Sequence, residues 1–220
     1  MSLTVFEEVK CPCGETFRTE VVSSINVQQN PEMRDLLLGG EINILKCPAC
    51  GDFFYVEHFI LYIDTPNELI AFVYPGENEK DRETYEMKML EDFVTAQDAL
   101  EPGQKINYTP VLIFGLDSLV DLLNYEDRRK DEVDVVKFVC KTNSIDQIKL
   151  KIAQAREVNL PEVLPSFGGL TNTEKISKEA VIAGINKVLA LSPGLKIYKE
   201  ILKRIAGETD WDIKKLLKVA

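Results

Sequence analysis

Apolar and β-branched positions are concentrated in the first third of the chain, in short segments that predict β-strands. The strand-like segments are residues 16–27, 41–46, 53–64 and 69–74. Residues 31–38 have helical composition and are followed by Gly39-Gly40, which predicts one short helix within this region. Because the strands follow one another at hairpin-like spacing, we expect an antiparallel sheet.

Helical spacing replaces the strand pattern after Pro75-Gly76. Residues 77–100 are rich in acids and are predicted to form an amphipathic helix with the apolar residues Met87, Leu90, Phe93, Val94 and Leu100. A strand is expected at residues 106–114. Helices are expected at 117–124 and 133–140.

Only helices are predicted after Ser144, and they occupy residues 144–156, 175–191 and 196–205. Asp210 is in a position to cap one more short helix. Residues 161–173 contain several prolines and glycines, so we expect a linker or an exposed loop there.

Charge is distributed unevenly along the chain. The formal net charge is −10, but residues 1–140 carry 12 Lys+Arg against 27 Asp+Glu, whereas residues 141–220 carry 14 against 9. The overall negative charge argues against non-specific nucleic-acid binding by the whole molecule. No apolar run approaches the roughly 18 residues that span a bilayer, and the first ten residues do not resemble a signal peptide. We therefore expect a cytoplasmic protein.

Four of the five cysteines form two pairs, in Cys11-Pro12-Cys13-Gly14 and Cys47-Pro48-Ala49-Cys50-Gly51. Two tight turns that each present two thiolates can supply the four ligands of a tetrahedral zinc ion. The glycine after each pair suits a turn with positive φ, and the proline stiffens the turn. We predict one zinc ion bound by Cys11, Cys13, Cys47 and Cys50, with a structural role because four thiolates leave no open coordination position.

Other arrangements of these residues remain open. The cysteines could form a disulfide or be unrelated buried thiols, although the absence of a secretion signal favours metal. His58, the one histidine, could replace a cysteine that cannot reach the ion, but a lone histidine in a strand is more commonly hydrogen-bonded or at the surface. Cys140 follows Phe138 and Val139, so we expect a buried, unreactive thiol.

The paired Cys-Pro motifs, together with residues 24–37, 57–64 and 69–75, resemble the CpXC domain family over residues 9–140. The family motif has one residue between proline and the second cysteine. Cys47–Cys50 fits this motif, and Cys11–Cys13 is one residue shorter. The resemblance implies a cysteine-bearing sheet followed by helices, and it implies no established activity.

We therefore expect an α+β fold with two parts. The first is a domain of residues 1–143, in which zinc holds a zinc-ribbon-like antiparallel sheet with helices. The second is an all-helical C-terminal region of residues 144–220.

The expected function is a non-enzymatic protein-interaction module, with no catalytic residues. Nucleophilic triads and metallohydrolase sites normally need histidine as base or ligand, and the chain has one; Gly39-Gly40 lacks a phosphate-binding context. The expected partner is another protein or a second copy. Three aromatic residues of the kind enriched at interfaces lie in the basic part and could equally belong to a core: Phe167, Tyr198 and Trp211.

Nucleic-acid binding is the alternative function, because zinc-ribbon-like domains often serve that role. Basic residues cluster near the C-terminus: Lys196, Lys199, Lys203, Arg204, Lys214, Lys215 and Lys218. Acidic residues interrupt the cluster, including Glu200 and Glu208, so an ordinary solvated helix face accounts for it as well.

Overall fold

The computed structural model describes residues 2–101, 103, 105–167, 178–209 and 211. Its strands are β1 (Leu3–Lys10), β2 (Thr16–Asn26), β3 (Ile44–Lys46), β4 (Phe53–Tyr55), β5 (Ile60–Asp64), β6 (Leu69–Tyr74), β7 (Val111–Phe114), β8 (Asp146–Lys149) and β9 (Val163–Ser166). Its α-helices are α1 (Glu32–Leu38), α2 (Arg82–Asp98), α3 (Leu116–Thr142), α4 (Ile152–Glu157), α5 (Lys178–Leu191) and α6 (Lys196–Gly207). These elements confirm the α+β class and the helices in the C-terminal part.

Two compact units make up the chain, Met1–Leu123 and Asn124–Ala220. The division falls within α3, which is one helix of 27 residues and covers both segments predicted as separate helices. A compact unit is not necessarily a domain that folds by itself, so the domain boundary after residue 143 stays a prediction. No helix among the described residues is long and apolar enough to cross a membrane.

The first unit contains a five-stranded sheet in the order β1-β2-β5-β6-β7. The sheet is mixed rather than antiparallel, because β2 pairs with β5, and β6 with β7, in the parallel direction. The chain between β2 and β5 contains α1 and the β3–β4 hairpin, and the chain between β6 and β7 contains α2. Such crossovers return the chain to the same end of the sheet, whereas hairpin spacing alone predicts antiparallel neighbours.

Helices cover both faces of this sheet at β6, all of whose residues are buried. Leu69, Ala71 and Val73 share an apolar cluster with residues of α1 and α3, whereas Ile70, Phe72 and Tyr74 share another with α2. A strand buried on both faces has a continuous apolar sequence, as in Leu-Ile-Ala-Phe-Val-Tyr.

The structure differs from the sequence predictions in this unit at three further places. The segment 53–64 forms two strands in different sheets, β4 and β5, interrupted at residues 56–59. Strand β1 was not predicted, because seven of its eight residues are exposed and its sequence shows no core-facing alternation. In α2 the core side carries Tyr85, Met89 and Phe93, of which only Phe93 belonged to the predicted apolar set, whereas Met87, Leu90 and Val94 are exposed.

The second unit is not purely helical. Strands β8 and β9 pair in antiparallel fashion, so residues 146–149 belong to a strand and not to the predicted helix over residues 144–156. β9 likewise occupies part of the predicted loop at 161–173. Pairing between segments far apart in sequence determines these strands, and local propensity does not show it. Residues 168–177 and the predicted last helix lie outside the described residues, apart from Trp211.

Candidate metal centre

Each cysteine pair lies in the turn of a β-hairpin. In the first turn, between β1 and β2, the Cys11 N–H donates to the Glu15 carbonyl at 2.8 Å. In the second turn, between β3 and β4, the Cys47 N–H donates to the Asp52 carbonyl at 2.9 Å. The two hairpins therefore present their cysteines from equivalent positions.

The shorter first turn also brings both of its cysteines to the site. Its Gly14 N–H donates to the carbonyl of Cys11, three residues earlier, whereas the Gly51 N–H donates to the carbonyl of Cys47, four residues earlier. Both glycines have the positive φ expected from the sequence, +99° and +79°. The tighter hydrogen-bonded turn accommodates the missing residue.

The four Sγ atoms of Cys11, Cys13, Cys47 and Cys50 lie within 4.8 Å of one another. The separations across the two turns are 3.8 Å for Cys11–Cys50 and 3.7 Å for Cys13–Cys47. Sulfur ligands at about 2.3 Å from a tetrahedral metal are about 3.8 Å apart, so these distances suit a metal ion at the centre. They exceed the disulfide bond length of about 2.05 Å, and all four cysteines are free.

The electrostatics of the thiols differ strongly. Backbone N–H groups of Cys50 and Ala49 are among the contacts that lower the pKa of Cys47 to about 7, although burial opposes them. The Cys13 N–H lowers the pKa of Cys11, but burial and the neighbouring thiols outweigh it and raise that pKa to about 12. A metal ion at the centre would supply the positive charge that four neighbouring thiolates need.

Neither His58 nor Cys140 lies in the four-cysteine cluster. Among the described residues, the four cysteines form the one cluster able to hold a metal ion, and His58 lies outside it between β4 and β5. Cys140 is fully buried in the second unit, and this burial raises its pKa to about 11. The four cysteines are thus positioned to bind a metal ion.

Two contacts that support the hairpins were not predicted from the sequence. The rings of Phe17 in β2 and Phe54 in β4 meet edge to face, with centroids 6.1 Å apart. The side-chain amide of Asn43 bonds to the backbone of Val22. The sequence signal for Asn43 is weak: asparagine tolerates the left-handed conformation that it adopts here, with φ of 57°.

The structure also places the residues considered for partner binding. Tyr198 and Trp211 are buried in the core of the second unit, so they are core residues and not exposed interface residues. Phe167 is about half exposed, and the Lys187 ammonium lies over its ring. Lys196, Lys199 and Lys203 are exposed along α6. Arg204 instead donates to the Asn159 carbonyl at 2.8 Å. Lys214, Lys215 and Lys218 lie outside the described residues.

Comparison with known proteins gives one match. The family model described as CpXC protein matches residues 9–137, more than half of the chain. No curated protein and no solved structure matches the sequence. The matched region contains both cysteine-bearing turns, whose geometry suits a metal-binding module. The chain belongs to the CpXC family.

Proposed function

We propose that this chain is a non-catalytic protein-interaction module in which one structural zinc ion, bound by Cys11, Cys13, Cys47 and Cys50, holds two β-hairpins together. The observation that carries the proposal is the four-sulfur cluster, with its 3.7 and 3.8 Å separations. Tetrahedral sites of four sulfurs suit zinc or iron. Zinc is favoured for a structural role because it has no redox chemistry and is commonly bound in closed four-cysteine sites.

The proposed coordination gives the metal no catalytic role. Four thiolates complete the tetrahedron, so no position is left at which the metal could activate water or polarise a substrate. The ion would instead stabilise the hairpins, because metal-binding free energy contributes directly to the folding of small zinc sites.

The surface that supports an interaction role is the outer face of the β3–β4 hairpin. Its exposed apolar residues are Ile44, Phe53 and Tyr55, with Ile44 opposite Tyr55 in the strand register. On the inner face Phe54 packs against Phe17. A small ribbon with apolar residues on both faces has a face available for a partner. Since Cys47 and Cys50 form its turn, the metal controls the shape of this surface.

Metal analysis of the purified protein is the first test. We expect one zinc per chain, its loss in Cys47→Ser, and its retention in Cys140→Ser, the matched change of a thiol outside the site. Folded protein that contains no metal would contradict the zinc centre. One iron ion per chain instead of zinc would support the four-cysteine site but contradict zinc as the bound metal.

The interaction role needs a separate test. A photo-cross-linking amino acid at position 53 should yield discrete adducts with a protein in lysate of the source cells, and these adducts should disappear in Tyr55→Gln. The same group at position 20, which is exposed on β2, serves as the control. If both positions give the same products, the β3–β4 face is not an interface.

Nucleic-acid binding is a second candidate, supported by the exposed Lys196, Lys199 and Lys203 on one side of α6. Binding of DNA or RNA that weakens steeply with salt and is lost when these lysines become glutamines would establish it. We further propose a cytoplasmic location, where reducing conditions keep thiols available for metal. A fluorescent fusion found in another compartment would contradict this location.

A further inference from the structure

Helix α2 has a second apolar face that the fold does not use. Tyr85, Met89 and Phe93 pack with the sheet, whereas Met87, Leu90 and Val94 are 65%, 43% and 56% exposed. The two sets lie on different sides of the same helix, with centres about 130° apart, because 100° separates successive residues. Sheet packing therefore does not account for the outer set.

The spacing of the outer set is that of a helix-packing seam. Met87, Leu90 and Val94 follow one another at intervals of three and four residues, as do the a and d positions of a coiled coil. Single exposed apolar residues are common on protein surfaces, but a continuous row over two turns is the arrangement that receives another helix.

Charge around the row indicates what kind of helix fits. Glu83, Glu86 and Glu91 are exposed beside it. Lys88 is turned away, with its ammonium 5.9 Å from the ring centroid of Tyr74. The unit Met1–Leu123 as a whole has 8 Lys+Arg against 22 Asp+Glu, a net charge of −14. A second copy of α2 would bring these acids together, which disfavours self-association through this face.

We propose that the outer face of α2 binds a basic amphipathic helix of another protein. The apolar side of the partner packs on Met87, Leu90 and Val94, and Lys or Arg residues beside it face Glu86 and Glu91. This inference gives a partner class to the interaction role proposed above, but it concerns a different surface and needs no metal. The two proposals can therefore fail separately.

The test uses a synthetic helical peptide of about 20 residues with a leucine row flanked by lysines. A peptide with the same composition in scrambled order tests for charge attraction alone. Binding is measured by fluorescence anisotropy against the full, metal-replete chain. We expect the amphipathic peptide to bind at least tenfold more tightly than the scrambled one.

Variants locate the site. Met87→Gln combined with Val94→Gln should weaken binding at least tenfold, and Glu86→Lys combined with Glu91→Lys should weaken it and reduce its salt dependence. Phe138→Gln, at another exposed apolar helix position, should leave binding unchanged. Because all of these side chains are exposed, circular dichroism and thermal melts should match the parent protein.

Three results would overturn the proposal. Equal binding of the scrambled peptide would show simple charge attraction. Unchanged affinity in the Met87 and Val94 variant would place the peptide elsewhere. Sedimentation showing a dimer that this variant dissociates would make a second copy the occupant. By contrast, peptide binding that stays intact when Cys47→Ser has lost its zinc would support the α2 surface independently of the metal centre.

Discussion

The side-chain amide of Asn43 pairs with both main-chain polar groups of Val22. The Val22 N–H donates to Oδ1 of Asn43 at 2.7 Å, and Nδ2 of Asn43 donates to the Val22 carbonyl at 3.2 Å. The Asn43 amide thus bonds to β2 as a residue of a neighbouring strand would. Its position at Val22 comes just before Ser24, where the pairing of β2 with β5 begins. Gln97 pairs with the backbone of Ile106 in the same way.

Replacing Asn43 should destabilise the first unit. Asn43→Ala removes this partner from both polar groups of Val22, which are part-buried. A buried polar group left without a hydrogen bond costs up to about 3 kcal/mol of stability. We expect a loss of about 2 kcal/mol in the free energy of unfolding, measured by urea denaturation. Asn124→Ala, at an exposed position in α3, should change it by less than about 0.5 kcal/mol. Equal effects of the two substitutions would show that the Asn43 pairing is not stabilising.

Metal removal should loosen the hairpins first. A strong chelator should increase hydrogen exchange at the N–H groups of Cys11, Gly14, Cys47 and Gly51, whose turn bonds surround the cluster. The amides of β6, buried on both faces, should stay protected. Chelator added to Cys47→Ser should have no further effect. Uniform loss of protection through the first unit would instead mean that its whole fold depends on the ion.

Glu132 should prove important for the start of α6. Its carboxylate accepts the Lys196 N–H at 2.7 Å, and also accepts bonds from Ile197 and Tyr198. An acid at a helix N-terminus satisfies free N–H groups and interacts favourably with the helix dipole. Glu132→Gln should therefore lower the free energy of unfolding by about 1–2 kcal/mol.

Asp134→Asn is the matched control for Glu132 in the same helix. Asp134 forms an exposed pair with Lys137 at 3.2 Å, and such pairs contribute at most about 1 kcal/mol. Thermal melts of both variants should show the larger drop for Glu132→Gln. The reverse order would contradict a capping role.

Gly184 should not tolerate a larger side chain. A Cβ atom there would lie 2.4 Å from the Pro165 carbonyl oxygen, because α5 packs closely on β9. Gly184→Ala requires the backbone to shift, which should cost about 1–3 kcal/mol in a denaturation experiment. Gly207→Ala is the control, since its added Cβ would meet no described atom within 4 Å apart from its own helix backbone and chain neighbours. Unchanged stability of Gly184→Ala would contradict the close packing of these elements.

The sequence alone predicted those turns, strands and helix ends that depend on residues close together in the chain. The Cys-Pro punctuation and the following glycines indicated two tight turns, and the structure has both, with Gly14 and Gly51 at positive φ. The apolar run at 69–74 indicated the strand β6, and Gly39-Gly40 marked the end of α1. In each case one residue type meets a backbone requirement within a few positions, so the prediction needs no tertiary information.

Tertiary structure alone decided the pairings between distant segments. The crossovers around α1 and α2 made the sheet mixed, and β8 became a strand because β9 lies beside it. Helical spacing predicted the set Met87, Leu90, Phe93, Val94 and Leu100 for α2, and only packing against the sheet selected Tyr85, Met89 and Phe93. Likewise Asn43 has no distinctive local pattern until Val22 lies next to it. Burial and hydrogen bonding over long sequence separations outweigh propensities worth a fraction of a kcal/mol per residue, which is why sequence pattern could not settle these features.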